Sequence, residues 1–146
     1  MTAEFLDEGL PLFVRHFRDV GHYQDIALAP DRETYIKLEQ VGLLRVYTAR
    51  AAGDLIGYAI FFVKPNIHYR HSLQAQQDVI YIQPESRGFG ADFIAWCDEQ
   101  LKADGCQVVT HHVKAKPELN FSPLLEAQGY ELIDLIYGKR LDKGGA

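Results

Sequence analysis

The segment that most constrains this chain runs Asp78-Val79-Ile80-Tyr81-Ile82-Gln83-Pro84-Glu85-Ser86-Arg87-Gly88-Phe89-Gly90-Ala91-Asp92. Its β-branched and aromatic start reads as a strand, stopped by Pro84, which has no N–H to give to a ladder. Past the two glycines, Phe93, Ile94, Trp96, Cys97 and Leu101 form a helical stripe from Gly90 to Leu101. Helices begin with amides that lack intrahelical partners, and such amides bind phosphate. Glycine at 88 and 90 lets the backbone approach an anion without interference from a Cβ, and Arg87 adds a charge that can pair with it. After Ala103-Asp104-Gly105, Val108-Val109 opens another strand, giving a strand, glycine turn, helix, strand unit. The dinucleotide fingerprint G-x-G-x-x-G is excluded, because Phe93 stands where its last glycine would be.

The elements around this unit follow from periodicity. Phe5, Leu6, Leu10, Phe13, Val14 and Phe17 mark one face of a helix over residues 4–20, interrupted or kinked near Pro11. A short second helix has Tyr35, Leu38 and Val41 on one side, Asp31 as N-cap and Gly42 as stop. Residues 44–49 and 55–63 are paired strands joined by Ala51-Ala52-Gly53-Asp54. The third strand covers 78–82, a short helix surrounds Leu124-Leu125-Glu126-Ala127, and Tyr130 to Leu141 reads as a final strand. The predicted architecture is α+β with the order ααβββαβαβ. Residues 1–141 form one domain, and 142–146 form a flexible tail.

Composition narrows the partners. With 15 Lys and Arg against 20 Asp and Glu, the net charge of −5 offers no field for a nucleic-acid backbone. No stretch reaches the ~18 apolar residues of a membrane span, and the acidic start lacks the form of a secretory signal, so a soluble cytoplasmic protein is expected. Cys97 and Cys106 read as reduced thiols in or near the core. His68, His71, His111 and His112 have no Cys or carboxylate partner at zinc spacing, and no metal is expected.

The strand ending Ile82-Gln83-Pro84, followed by Arg87-Gly88-Phe89-Gly90-Ala91 and the later Leu124-Leu125-Glu126-x-x-Gly129-Tyr130, resembles the GNAT superfamily of acyl-CoA N-acyltransferases over roughly residues 44–141. Its "HYR", "DVIYI-P" and "LLExxGY" stretches are similar to those of small phage and prophage members. The resemblance implies a mostly antiparallel mixed sheet flanked by helices, with the family's first strand absent or minimal here. It implies acetyl-CoA as co-substrate, with its pyrophosphate on the amides of Arg87, Gly88, Phe89, Gly90, Ala91 and Asp92, and a backbone N–H near Ile82 meeting the thioester oxygen. It further implies transfer to a primary amine, on a small molecule or a protein, by direct attack in a ternary complex. Asp92 replaces the second glycine of the commonest form of the turn. Leu125 stands where the family often carries the tyrosine that protonates the departing thiolate.

Asp78 is the expected general base, because strict alternation would place residues 78, 80 and 82 on one face; the alternative is that it only starts the strand or pairs with an arginine. Glu85 is a weaker candidate. Tyr130, Tyr137 and Ser122 remain as acids, none at the family position, so no acid is assigned. His68 and Tyr69, in the loop 66–71, are expected to contact the acceptor. The competing function is a regulatory module that holds acyl-CoA without turnover. An exposed final strand or first-helix face would also admit a homodimer.

Overall fold

Asp31 caps a helix as its sequence position requires: its carboxylate accepts from the Thr34 amide at 3.1 Å. In this computed structural model, which describes residues 2–143, that helix is α2 (Arg32–Gln40). It is preceded by α1 (Thr2–Val20), which runs unbroken through Pro11. The proline ring sits on the exposed side, and burial of Phe5, Leu6 and Phe13 against the sheet outweighs one missing backbone bond.

Strand β1 (Leu44–Ala51) pairs antiparallel with β2 (Asp54–Pro65). Positive φ at both Ala52 (51°) and Gly53 (88°) gives the mirror-image turn that matches strand twist. Strand β3 (Leu73–Ile82) pairs antiparallel with β2 and begins five residues before the expected position, since its polar half, Gln74 to Gln77, hides the strand pattern. A 3₁₀ turn (Pro84–Phe89) leads into α3 (Gly90–Ala103). Then β4 (Val108–Thr110) lies parallel to β3, followed by α4 (Ser122–Ala127). The sheet has the order β1-β2-β3-β4, mixed and mostly antiparallel, with helices on both faces.

Alternation splits the core in two. Ala59, Phe61 and Val63 of β2 pack with Phe93, Cys97 and Leu101 of α3, while Tyr58 and Ile60 pack with Phe5, Leu6 and Phe13 of α1. Cys97 is fully buried and Cys106 half-buried, as expected of core thiols.

The chain departs from expectation at its end. Residues 130–141 form no strand, because a strand exists only through a partner and this stretch meets none on its own sheet. Among the described residues no strand precedes α1. Of the expected tail, Lys143 lies 2.7 Å from an Asp25 carboxylate oxygen, and residues 144–146 fall outside the described residues. No described helix is long and apolar enough to cross a membrane.

Candidate functional site

Parallel pairing between β3 and β4 stops at Gln76 and Thr110. Beyond that point the strands part. A cavity of about 460 Å³ occupies the gap and continues under α1 and α2. It is lined by Gln77 to Ile82 of β3, Phe13 and His16 of α1, Tyr35 of α2, Arg87 and Gly90 of the glycine turn, and His112 and Lys114 beyond β4. At its root His111 Nδ1 donates to Gln77 Oε1 at 2.7 Å, a bridge across the point of divergence. Burial, with His112 beside it, pushes the His111 imidazole down to about 4, so it stays neutral.

The divergence strips one edge of β3. The Gln83 amide donates to the Ile56 carbonyl at 2.9 Å. Antiparallel alternation therefore turns the amides of Tyr81 and Val79 toward β2, and those of Ile80 and Ile82 toward the gap.

Strand β3 also carries a bulge. Ile60 pairs with Val79 and Phe61 with Gln77, so Asp78 is an extra residue opposite no partner. Leu73, Ala75, Ile80 and Ile82 pack on the α3 face, but Val79 and Tyr81 pack on the α1 face, a change of parity across Asp78. The expectation that residues 78, 80 and 82 share a face is therefore wrong. Asp78 instead points toward α2, where its Oδ2 accepts from the Tyr35 hydroxyl at 3.1 Å, and it still lines the cavity.

A second polar cluster lies nearby. His16 stacks on Tyr81 with ring centroids 4.5 Å apart, and its Nδ1 bonds the Tyr58 hydroxyl. Burial, reinforced by Lys114, pushes His16 down to about 4. The Tyr81 hydroxyl donates to Asp19 at 2.9 Å, and burial followed by that bond raises its pKa to about 12. His16 and Lys114 are not among the site residues that the sequence predicts, and Tyr35 is predicted only as part of the apolar side of α2. The available signal was a histidine on the apolar face of α1 beside Phe13 and Phe17.

In the glycine turn, Arg87 Nε donates to the Ile82 carbonyl at 3.0 Å, so the arginine braces the strand end. Arg15 of α1 grips both Glu85 oxygens at 2.9 Å, which holds the Glu85 carboxyl below its usual range and makes it an anchor rather than a base. The 3₁₀ turn engages part of the expected anion site, since the Gly90 amide donates to the Arg87 carbonyl. Ile82, Arg87 and Gly90 line the cavity, while Gly88, Phe89, Ala91 and Asp92 continue from its rim along the turn and first helical residues.

No protein-family model and no curated protein sequence matches the chain. Solved structures do. A ribosomal-protein-alanine N-acetyltransferase from Brucella melitensis biovar Abortus superposes with a TM-score of 0.70 at 21% identity, covering 97% of this chain and 96% of that one. The chain has the GNAT acetyltransferase fold. An aminoglycoside acetyltransferase from an uncultured soil sample shares that GNAT fold with a TM-score of 0.71 at 14% identity, over 93% and 90% of the two chains. A predicted acetyltransferase from Clostridium acetobutylicum, solved with acetyl-CoA, gives 0.68 at 14% identity over 97% and 93%.

Within this GNAT fold several expected residues fall elsewhere. His68 and Tyr69 sit in the tight turn before Leu73, at the end of β3 remote from the glycine turn, and neither lines the cavity. From Leu73 to Ile82 the strand spans roughly 30 Å, too far for that turn to reach the open end. Tyr130 donates to Asp98 Oδ1 at 2.6 Å on the α3 side, Tyr137 is 91% exposed, and neither these tyrosines nor Ser122 line the cavity. Leu125 is buried.

Proposed function

We propose that this chain is a cytoplasmic acetyl-CoA-dependent N-acetyltransferase acting on a primary amine by direct attack in a ternary complex. The observation that carries this reading is the pair of glycines at the mouth of the cleft. Neither has a left-handed φ, a Cβ on Gly88 would meet nothing within 4 Å, and one on Gly90 would meet only Leu124 Cδ1 at 3.7 Å. Nothing in the chain itself requires glycine at either place, and in helical conformation each costs about 1 kcal/mol relative to alanine. The space they keep open lies where a helix N-terminus and Arg87 favour an anion. A pyrophosphate placed there competes for the Gly90 amide now given to Arg87, and Asp92 disfavours it modestly.

Acetyl-CoA supplies the activated acetyl group. The gap-facing amides of Ile80 and Ile82 are donors for an extended amide chain and for charge that develops on the thioester oxygen. Asp78 accepts the proton of the incoming amine, directly or through water, with Tyr35 fixing one carboxylate oxygen. His112, at the same cavity wall, is held toward its neutral form by burial and by Lys114, with Asp78 opposing. No side chain is assigned as acid, because a thiol with a reference pKa of about 8.5 leaves without much help.

A second reading, an acyl-CoA-binding module without turnover, draws on Leu125, an apolar residue where an acid is usual. Calorimetric titration with acetyl-CoA, followed by thiol release across a panel of small amines, aminoglycosides and peptide N-termini, tests both. Binding with amine-dependent release is expected. Binding without release by any amine leaves the second reading, and absence of binding sinks both.

A further inference from the structure

Residues 131–137, Glu-Leu-Ile-Asp-Leu-Ile-Tyr, form an extended apolar ribbon held at both ends and bonded to nothing between them. At one end the Tyr130 amide donates to the Leu125 carbonyl and its hydroxyl to Asp98. At the other, Arg140 grips both Asp25 oxygens at 2.8 Å, its guanidinium lies 5.7 Å from the Tyr23 ring centre, and Gly138 packs against that tyrosine. Among the described residues, no backbone or side-chain hydrogen bond ties 131–137 to the body. Leu132, Ile133, Leu135, Ile136 and Tyr137 are between 64% and 91% exposed.

The apolar residues occupy both alternating sets: Ile133, Leu135 and Tyr137 on one side, Leu132 and Ile136 on the other. That is the pattern of a strand covered on both faces, not of a surface loop. The same chain has an unpaired sheet edge to match. Strands β1 and β4 are the sheet's outer members. The β1 edge is guarded by Arg45 and Arg50, engaged with Asp104 and Glu8, and by a bulge at Ala49 and Arg50. The β4 edge, Val108-Val109-Thr110, carries no charge and no bulge, and Val108 is 42% exposed. A strand without a partner and an edge without a guard thus coexist in one chain, whose own anchors at Tyr130 and Asp25 leave them unpaired.

We infer that the occupant is a second copy of this chain: residues 131–137 of each copy add as a strand to the β4 edge of the other, forming a two-fold dimer. Two copies satisfy both needs reciprocally, and the exchange closes, so no further chain is recruited. Each of the five side chains carries roughly 100 Å² of apolar surface. Burying them from both copies removes on the order of 1,000 Å² from water, which reaches the size of a specific interface before backbone pairing is added. The ribbon is tied to Tyr23 and Asp25, and the neighbouring Gly21, Leu28 and Pro30 line the cavity, so the dimer also steadies one wall of the cleft.

Light scattering of the full chain should give twice the mass of one copy. Hydrogen-exchange mass spectrometry should show the amides of 131–137 protected in that species and exchanging freely in any fraction diluted to single-chain mass. Ile136→Lys should yield a single-chain mass with the helical bands of the far-ultraviolet dichroism spectrum and a cooperative melt retained. The inference is overturned by a single-chain mass at every concentration, by protection of 131–137 in a species of single-chain mass, or by an Ile136→Lys variant that stays dimeric. If Ile136→Lys does not fold, mass and exchange of the parent chain decide alone.

Discussion

The Tyr35 hydroxyl donates to Asp78 Oδ2 across 3.1 Å, and this bond orients the one carboxylate that a bulge delivers into the cleft. Burial, then the charge of Asp78, pushes the Tyr35 phenol up to about 12, so it remains a donor throughout the working range. Removing the hydroxyl frees the carboxylate to rotate without deleting it. Tyr35→Phe should lower kcat/KM by roughly threefold to tenfold with acetyl-CoA affinity unchanged, because the carboxylate loses the group that fixes its rotamer. An unaltered rate in the folded variant would show that the bond positions nothing.

Asp78→Asn removes the proposed proton acceptor while keeping the side-chain volume. The expected loss in kcat/KM is about 10²-fold to 10⁴-fold, with acetyl-CoA affinity nearly unchanged by calorimetry. Raising the pH should recover part of the rate, since more amine is then neutral. Parent-like activity at neutral pH with the true acceptor would remove Asp78 from the mechanism.

Gly90→Glu places a carboxylate at the start of α3, where a helix accepts it readily, so the fold should persist. The same carboxylate would occupy and repel anions from the proposed pyrophosphate site beside Arg87. Acetyl-CoA binding should become undetectable by calorimetry while the dichroism spectrum and melting temperature stay close to the parent's. Retained affinity would move the pyrophosphate elsewhere.

Tyr130→Phe and Tyr137→Phe should each keep turnover within about tenfold of the parent. The first tyrosine spends its hydroxyl on Asp98 and the second faces water. Tyr130→Phe should lower stability instead, because Asp98, already raised by burial, loses the bond that favours its charge. A rate loss of several hundredfold in either variant, with binding intact, would identify an acid.

His16 and His111 are both held near 4, against an ordinary value of 6.5. Between those values the unfolded chain binds protons that the folded chain refuses, so stability should be intact above about pH 6.5 and fall steadily toward pH 4. Each histidine contributes on the order of 3 kcal/mol to that loss, in addition to the surface carboxylates. Melting temperature measured from pH 4.5 to 7 should show the slope, and His16→Gln, which keeps a partner for Tyr58, should flatten part of it. Equal slopes in parent and variant would mean that His16 is not buried neutral.

The strand, glycine turn and helix were legible because each is a local pattern: alternation up to Ile82, Pro84 as stop, and the stripe Phe93, Ile94, Cys97 and Leu101. So were the hairpin at Ala52-Gly53 and the Asp31 cap. Three features were not. The bulge at Asp78 is a mismatch between two strands, and a single strand's sequence carries no record of its partner's count. The missing final strand has abundant β-propensity between Leu132 and Tyr137, yet pairing depends on an edge being within reach. The distance of His68 and Tyr69 from the cleft follows from β3 starting at Leu73, in a run of glutamines that disguises it.

The bulge also decides which losses of sequence the lineage of this protein can survive. Deleting Asp78 itself would restore regular pleating and leave every flanking side chain on its present side, because Val79 would keep Ile60 and Gln77 would keep Phe61. Such a chain would lose the carboxylate beside Tyr35 and neither half of the core. The parts of β3 on either side of the bulge carry no spare residue, and a loss there would turn side chains from one half of the core into the other. Length variation among homologues should accordingly be confined, within β3, to the position of Asp78, and otherwise accumulate at residues 66–72.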